Sequence, residues 1–263
     1  MLAIDSVSKT FFPGTPNERV ALDGISLQLE PGEFTTVIGS NGAGKSTLLN
    51  IIAGTLTPGS GRVVVDGNDV TRLPDHRRAA HVGRVFQDPL AGTAPDMTIE
   101  ENLAIAYSRG QRRGLRLGVT RAKRQFFQQE LASLELGLER RLKTKVGMLS
   151  GGQRQALSLL MATFSEPKIL LLDEHTAALD PQRAALVSKL TAEAVERHHL
   201  TTVMVTHNME QALRLGTRLV MMHEGRIVVD VAGERKQRAT VQDLLDAFEN
   251  VKGAELDDRT LLQ

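Results

Sequence analysis

The chain has 263 residues, of which 41% are hydrophobic and 24% are charged, and its formal net charge is +1. This composition is ordinary for a globular chain with a sizeable core, and the balanced charge gives no case for a nucleic-acid partner. The absence of cysteine excludes disulfides, thiolate metal sites and cysteine nucleophiles. We find no signal-peptide pattern and no apolar run near the ~20 residues of a membrane span. Any membrane role is therefore expected to come through a partner.

Short strands are predicted in the first part of the chain. Residues 2–7 and 25–29 alternate between apolar and polar side chains, and the turn-rich stretch 13–17 separates them. A second turn at 30–33 leads into an apolar strand at 34–38. Residues 1–38 are therefore predicted to form short strands joined by turns.

The stretch after this strand fits the pattern G-x-x-x-x-G-K-[ST] of a phosphate-binding loop, and a helical pattern follows it. Glycines allow a tight turn with inward N–H groups, the helix N-terminus favours anions, and Lys45 is expected to reach the β- and γ-phosphates. A glycine-rich turn with an incidental lysine is the alternative, and the strand and helix on either side argue against it. The predicted nucleotide-binding residues here are Gly39, Ser40, Asn41, Gly42, Ala43, Gly44, Lys45, Ser46 and Thr47.

Strands and helices alternate along the rest of the chain, which predicts an α/β core with a mainly parallel sheet. Predicted strands cover 62–67, 82–86, 168–172 and 201–206, and a hairpin joins 219–222 to 227–231. Thr98 and Glu101 fit a capping box, so a helix is expected from there to about residue 107. Further helices are predicted at 126–136, 150–161, 184–195 and 209–214. The helical segment, about 91–163, is expected to be inserted into the core.

Two acids end the most apolar predicted strand, Asp173 and Glu174. In a phosphate-loop protein, an aspartate at this place holds Mg²⁺ together with the loop hydroxyl, here that of Ser46. The following Glu174 is then close enough to the γ-phosphate to polarise the attacking water. A strand followed by a helix-capping acid is the structural alternative.

Residues 149–153 read Leu-Ser-Gly-Gly-Gln and lie between the phosphate loop and the acidic strand end. In this order the motifs resemble those of the ATP-binding-cassette (ABC) ATPases, and the resemblance covers about residues 1–235. It implies a P-loop core with a mainly parallel sheet, an N-terminal antiparallel β subdomain and an inserted α-helical subdomain. Residues 236–263 are then a short polar tail with one amphipathic patch. The resemblance also implies that Ser150, Gly152 and Gln153 bind nucleotide.

The remaining family positions follow from the resemblance. Gln87 matches the glutamine that touches Mg²⁺ or water, Asp180 matches the D-loop aspartate, and His207 matches the switch histidine at the γ-phosphate. The adenine-stacking aromatic is expected at Phe11 or Phe12, with Phe11 preferred on spacing. One departure is His175, where most cassettes have proline, and there we expect a titratable ring beside the γ-phosphate.

The resemblance further implies a homodimer in which Ser150 and Gly152 of one subunit close over the ATP and Mg²⁺ held at Lys45 of the other. The stretch 173–181 and the ending 221–226 are similar to bacterial importer cassettes that accompany a substrate-binding lipoprotein and a permease of the branched-chain amino-acid type. Some of those are proposed to carry aromatic amino acids. The implied location is the cytoplasmic face of the bacterial inner membrane, on an integral-membrane permease.

Other readings remain open. An exporter or lipoprotein-release ATPase shares the cassette motifs, since these do not encode direction. A chromosome-type cassette is disfavoured because no sustained heptads separate the loop from the signature, and a non-enzymatic regulator is disfavoured by the intact acids and histidine. The basic run 109–124 is either a solvated face or a surface near anionic lipid.

Overall fold

The structure is a computed structural model that describes residues 1–109 and 118–250. Its strands are β1 (Leu2–Phe11), β2 (Arg19–Leu29), β3 (Phe34–Gly39), β4 (Ser60–Val65), β5 (Asn68–Asp69), β6 (Val82–Val85), β7 (Ile169–Asp173), β8 (Thr201–Val205), β9 (Arg218–His223) and β10 (Arg226–Ala232). Its helices are α1 (Lys45–Ala53), α2 (Asp75–Arg78), α3 (Ile99–Tyr107), α4 (Arg121–Ala132), α5 (Gly151–Thr163), α6 (Pro181–His198), α7 (Met209–Arg214) and α8 (Gly233–Arg238). Residues 241–250 are also helical. Within the described ranges, no helix combines the length and the apolar character needed to cross a membrane.

The larger sheet has six strands in the order β10-β9-β3-β8-β7-β6. Its strands run parallel except for β10, which pairs antiparallel with β9. Strand β8 is buried at all its positions, as expected for a strand covered on both faces. Because parallel strands end at the same edge, the residues that follow β3, β7 and β8 meet there, and functional sites of α/β proteins form at that edge.

The smaller sheet is antiparallel, in the order β2-β1-β4-β5, and α1 packs between it and the larger sheet. Apolar side chains of α1 such as Leu48 and Ile52 share one core with those of both sheets. The predicted fold class is therefore confirmed: a P-loop α/β core with a mainly parallel sheet, an antiparallel N-terminal sheet and a helical region.

The helical region has a core of its own, formed by α3, α4 and α5 against one side of the larger sheet. An aromatic cluster, whose ring centroids lie 5.5–6.3 Å apart, ties these helices together: Tyr107, Phe126, Phe127 and Phe164. The predicted capping box at the start of α3 is confirmed, since Thr98 and Glu101 each accept a backbone hydrogen bond from the other.

Several predicted boundaries are wrong for identifiable reasons. Strand β1 does not stop at residue 7 but continues to Phe11, because register shifts between Ile4 and Thr10 interrupt the alternation that marks a strand. Helix α6 begins at Pro181 rather than at 184, capped by Asp180, a cap-and-proline signal that the apolar pattern alone does not contain. Helix α4 likewise begins five residues before the predicted 126, behind Thr120. The four-residue α2 is too short to show periodicity.

Of the basic run 109–124, residues 110–117 lie outside the described part of the chain. The predicted hairpin of β9 and β10 is confirmed. The amphipathic patch of the tail is helical, and its Leu244 and Phe248 pack on a small apolar cluster with Leu219 and Met221 of β9.

Candidate active site

The loop between β3 and α1 has a conformation that requires glycine. Gly39, Gly42 and Gly44 have φ angles of 149°, 87° and 96°, in the region that side chains disfavour. A Cβ on Gly44 would lie 2.3 Å from the backbone oxygen of Ala21. Gly44 is also the cap of α1 and supplies no side-chain hydrogen bond, so the first N–H groups of the helix are left for another acceptor.

A cavity of about 190 Å³ lies against this loop and unites residues from four separate stretches of the chain. Most of the predicted loop residues line it, together with the predicted Phe11 and Glu174 and two residues that sequence reasoning missed, Arg19 and Ala21. The lining residues are Phe11, Arg19, Ala21, Asn41, Gly42, Gly44, Lys45, Ser46, Thr47 and Glu174.

Lys45 is the buried cation of this cavity, with 7% of its surface exposed. Its Nζ donates to the backbone oxygens of Gly39 at 2.7 Å and Ser40 at 2.9 Å. Burial lowers the pKa of Lys45 from its ordinary value, and the nearby carboxylates of Glu174 and Asp173 oppose that shift. The loop thus presents backbone donors and an ammonium group to the same space, which suits an anion with several phosphates.

The aromatic wall is Phe11 rather than Phe12. Phe11 ends β1 and lines the cavity, whereas Phe12 is 66% exposed and outside it. Arg19 pairs with Phe11 across the β1–β2 ladder, and its Nη2 donates to the oxygen of Gly42 at 3.3 Å. The sequence could have indicated Arg19 only through its pairing with Phe11. Predicting that pairing requires knowing that β2 begins at residue 19.

Glu174 and His207 meet at the edge of the sheet, as the motif order predicts. The Glu174 Oε1 and His207 Nδ1 atoms are 3.1 Å apart. Glu174 has a φ of 45°, and its N–H donates to the oxygen of Val205 at 3.0 Å. The strained backbone after β7 is therefore held by β8, and the carboxylate lines the cavity.

A buried amide that sequence reasoning missed fixes the neighbours of these two residues. The Oε1 of Gln211 accepts from the Thr206 hydroxyl at 2.9 Å, and its Nε2 donates to Thr176 and Ser188, each at 3.1 Å. One side chain thereby joins the residue before His207 to the segment after Glu174 and to α6. A single glutamine inside a short helix carries no spacing signal, so the sequence did not reveal it.

Asp173, the predicted metal ligand, is held by another residue that was missed. The Nη2 of Arg84 lies 2.8 Å from Asp173 Oδ2, and the Nη1 of Arg84 donates to Asn50 Oδ1 at 2.8 Å. The described residues contain no group of three or more histidine, cysteine or acidic side chains placed to hold a metal. Ser46 and Asp173 offer only hard oxygen donors, and Mg²⁺ is bound in this way, by one or two protein oxygens with phosphates and water. The donor set therefore fits Mg²⁺ delivered with a triphosphate.

Gln87, in contrast, is exposed in the loop after β6 and does not line the cavity. The carbonyl of the preceding Phe86 accepts a hydrogen bond at 3.1 Å from Gln155 Nε2 on α5. The start of this loop is therefore tied to the signature helix, while the Gln87 side chain points to no partner that the described residues supply.

The signature residues form a capped helix start away from the cavity. Ser150 Oγ accepts from the N–H of Gln153 at 3.3 Å, and Gln153 Oε1 accepts from the N–H of Ser150 at 3.2 Å. Arg183, which pairs with Asp180 at 3.2 Å, covers Gly152. The predicted residues Ser150, Gly152, Gln153 and Asp180 lie close to one another, but none of them lines the cavity.

His175 does not adopt the position expected of it. Its ring is 2% exposed, and its Nε2 lies 3.0 Å from Thr191 Oγ1 on α6. The Thr191 hydroxyl donates to the oxygen of Val187, so His175 Nε2 is the donor of this pair. Burial lowers the pKa of His175 to about 4. The ring is therefore a neutral packing group beneath α6, and the expectation of a titratable ring beside the γ-phosphate is wrong.

A parallel sheet whose strand ends carry a glycine-rich phosphate loop, a buried lysine and a carboxylate pair defines a P-loop nucleoside triphosphatase. Residues 22–177 match the family described as ABC transporter, so the chain belongs to that family. It is the ATP-binding, ATP-hydrolysing subunit of a membrane ABC transporter.

Individual relatives agree with this assignment. The chain is 45% identical over 249 residues to a tyrosine transport ATP-binding protein of Clostridioides difficile (strain R20291), covering 95% of this chain and 99% of that one. It is 37% identical over 203 residues to the thiamine import ATP-binding protein ThiQ of Escherichia coli (strain K12), covering 77% and 82% of the two chains. A dimeric ATP-binding cassette solved in a post-hydrolysis state with ADP and Pi has a TM-score of 0.76 at 30% identity, covering 88% and 98%.

Proposed function

We propose that the chain is one half of a two-subunit ATPase that drives import of an amino-acid-like solute through a separate permease. The observation that carries this proposal is that only some of the predicted nucleotide-binding residues line the cavity. Its loop, aromatic and acid line the cavity, but Ser150 and Gly152 lie outside it. Both half-sites are intact in one chain, so two copies related by a twofold axis would complete two sites at once.

In this proposal each predicted residue has a defined task. The loop residues Gly39 to Thr47 hold the triphosphate, and Phe11 stacks on the adenine. Glu174 accepts the proton of the attacking water, while His207, in contact with that carboxylate, orients it and reaches the γ-phosphate. Ser150, Gly152 and Gln153, with Asp180 beside them, cover the nucleotide of the second copy.

Mg²⁺ is proposed to arrive with ATP and to be held by Ser46 and Asp173, with Gln87 joining once its loop moves toward the site. The ion supplies charge neutralisation for the phosphates. Arg19 is added to the nucleotide-binding set, because its guanidinium sits at the cavity wall beside Phe11 and retains N–H donors beyond its bond to Gly42.

The proposed transport role rests on the relative named for tyrosine transport, which matches 95% of this chain at 45% identity. An aromatic or similar amino acid, captured by a substrate-binding protein, is the proposed solute. The chain is placed by this proposal at the cytoplasmic face of the bacterial inner membrane, where the Gln87 loop and the helical region 91–163 transmit closure to the permease.

The variant Glu174→Gln tests the catalytic and dimer proposals together. We expect its ATP turnover to fall by roughly 10²–10⁴-fold, the usual worth of a general base, while ATP binding is retained. With hydrolysis blocked, ATP and Mg²⁺ should convert the purified variant from monomer to dimer in light scattering. Glu196→Gln, at an exposed position on α6, is the matched control and should behave as wild type.

The two outcomes separate the two claims. Wild-type turnover in Glu174→Gln would remove Glu174 from the role of base. A variant that binds ATP but stays monomeric at saturating nucleotide would contradict the two-copy site. Stimulation of the assembled transporter's ATPase by binding protein loaded with tyrosine, but not with thiamine, is the expected result for the solute class.

A further inference from the structure

Arg84 is a charged residue inside strand β6, where it lies opposite Leu171, two residues before β7 ends. Strands β6 and β7 pair in parallel, and only 13% of the Arg84 side chain is exposed. One guanidinium nitrogen, Nη2, is 2.8 Å from Asp173 Oδ2, and the other, Nη1, is 2.8 Å from Asn50 Oδ1. The side chain thus connects the helix after the phosphate loop with the carboxylate predicted to bind metal.

A third contact fixes the plane of the guanidinium. Its Cζ lies 4.6 Å from the centroid of the Phe86 ring, on the residue just before Gln87. The Nε of Arg84 is buried and makes no hydrogen bond within the described structure. Leaving a buried donor unpaired is costly, so the two Nη bonds and the ring contact must together outweigh that cost.

We propose that Arg84 is a positioning residue that clamps the Asp173 carboxylate for Mg²⁺, using Asn50 on α1 as its second anchor. By engaging Oδ2, Arg84 limits rotation of the carboxylate and reserves Oδ1 for the metal or a metal-bound water. The inference rests on the Mg²⁺ site proposed above. It adds that the geometry of this site is set jointly by α1 and by the strand leading into the Gln87 loop.

Two effects of Arg84 on the metal oppose each other. Its positive charge repels a cation, so charge alone would make Mg²⁺ bind more tightly once the arginine is removed. Its hydrogen bond orients the ligand, and loss of such an outer partner typically weakens metal affinity about 10–100-fold. Arginine can make both bonds at once because its fork is planar and rigid, which a lysine cannot reproduce. We expect the orienting effect to be the larger of the two, so that removal of Arg84 weakens Mg²⁺ binding.

The experiment is a binding titration with a fluorescent ATP analogue, with Mg²⁺ varied and with EDTA as the metal-free arm. For Arg84→Met we expect the Mg²⁺ concentration that gives half of the maximal change in analogue binding to rise about tenfold. The affinity for the analogue in EDTA, without metal, should stay within about twofold of wild type. Arg218→Met is the matched control: Arg218 is a similarly buried, ion-paired arginine that bonds Glu33 and Asp230, and none of the three lines the cavity. It should lower the melting temperature and leave the Mg²⁺ response unchanged.

Two further variants keep the test decisive if Arg84→Met folds poorly. Asn50→Leu removes the second anchor of Arg84, together with a longer bond from the exposed Thr55 hydroxyl, and should shift the Mg²⁺ response in the same direction, by less. Arg84→Lys keeps the charge and should not restore the wild-type response. Tighter or unchanged Mg²⁺ binding in Arg84→Met, or full recovery with lysine, would overturn the clamp. If wild type itself shows no difference between Mg²⁺ and EDTA, the proposed Mg²⁺ site fails instead.

Discussion

Two helices of this chain begin with glycine-containing sequences, yet their N-termini are built in opposite ways. Helix α1 is preceded by glycines with positive φ, and Gly44 gives its first turn no side-chain cap. Helix α5 begins with two glycines outside that region, and Ser150 and Gln153 cap it reciprocally. The first helix end faces a cavity, whereas Arg183 and Leu179 of the same chain pack on the second.

The difference explains why one site is ready for its ligand and the other is not. The phosphate loop leaves the first N–H groups of α1 without a side-chain cap, so an anionic ligand is needed to satisfy them. The signature helix has two of its first N–H groups, those of Ser150 and Gln153, satisfied by its own side chains. In the proposed dimer, glycine is needed at the first site for backbone conformation and at the second for close approach by another chain.

The largest expected effect comes from placing alanine in each of these two settings. Gly44→Ala forces a side chain into left-handed backbone and against the oxygen of Ala21, and we expect a loss of roughly 3 kcal/mol in the free energy of unfolding. Gly152→Ala meets the Cβ, Cγ and Cδ atoms of Arg183 at 3.1–3.2 Å, a small clash that the higher helix propensity of alanine partly offsets, so its stability should stay within about 1 kcal/mol of wild type. Chemical denaturation of both variants measures this contrast.

The same pair distinguishes the two kinds of function. Gly152→Ala should bind ATP normally as a monomer but lose ATP-dependent dimerisation in the Glu174→Gln background. Equal stability of the two variants would remove the conformational argument for the phosphate loop. Normal dimerisation of Gly152→Ala would remove the close-approach argument for the signature.

The second prediction concerns a substitution in the phosphate loop that removes a side chain and leaves the backbone conformation unchanged. Lys45→Ala removes a buried ammonium that we propose to contact the phosphates, and hydrogen bonds to charged groups contribute about 1.5–3 kcal/mol each. We therefore expect ATP affinity to fall about 100-fold, equivalent to about 2.7 kcal/mol. Equilibrium binding of a fluorescent ATP analogue measures it, with the exposed Lys168→Ala as control. Unchanged affinity in Lys45→Ala would contradict the proposed role of the loop.

The motifs that the sequence located have fixed spacing, as in the phosphate loop, the signature and the Asp173–Glu174 pair. Such motifs are readable because adjacent residues act together at a turn or a strand end. Arg84 and Gln211 were missed because each acts alone, and their partners come from distant stretches of the chain. Arg84 did leave a trace, since a charge within an otherwise apolar strand needs a partner, but the sequence does not name Asp173 as that partner.

His175 shows a different kind of failure. Its position in the motif order led to the expectation of a ring at the γ-phosphate, but neighbouring residues on a strand-to-turn segment need not face the same way. Glu174, with its positive φ, faces the cavity, and the next side chain is turned beneath α6. Spacing therefore located the segment, while the direction of each side chain depended on backbone torsions that no motif contains.

The third and smallest effect concerns His175. It lies in the segment between Glu174, which lines the cavity at the start of α1, and α6, whose Arg183 covers the start of α5. Its pKa of about 4 is below that of a histidine in the unfolded chain, about 6.5, so the unfolded state binds a proton that the native state refuses. The lowered pKa of His175 has almost no effect on the free energy of unfolding above about pH 7. As the pH falls from about 6.5 toward 4, it lowers that free energy progressively. Relative to His175→Asn, wild type should lose about 2 kcal/mol between pH 7 and pH 4.5. Urea denaturation across that range measures the loss, and His198→Asn, at an exposed position, is the control. Parallel pH profiles of stability for wild type and His175→Asn would mean that the ring is not held neutral beneath α6.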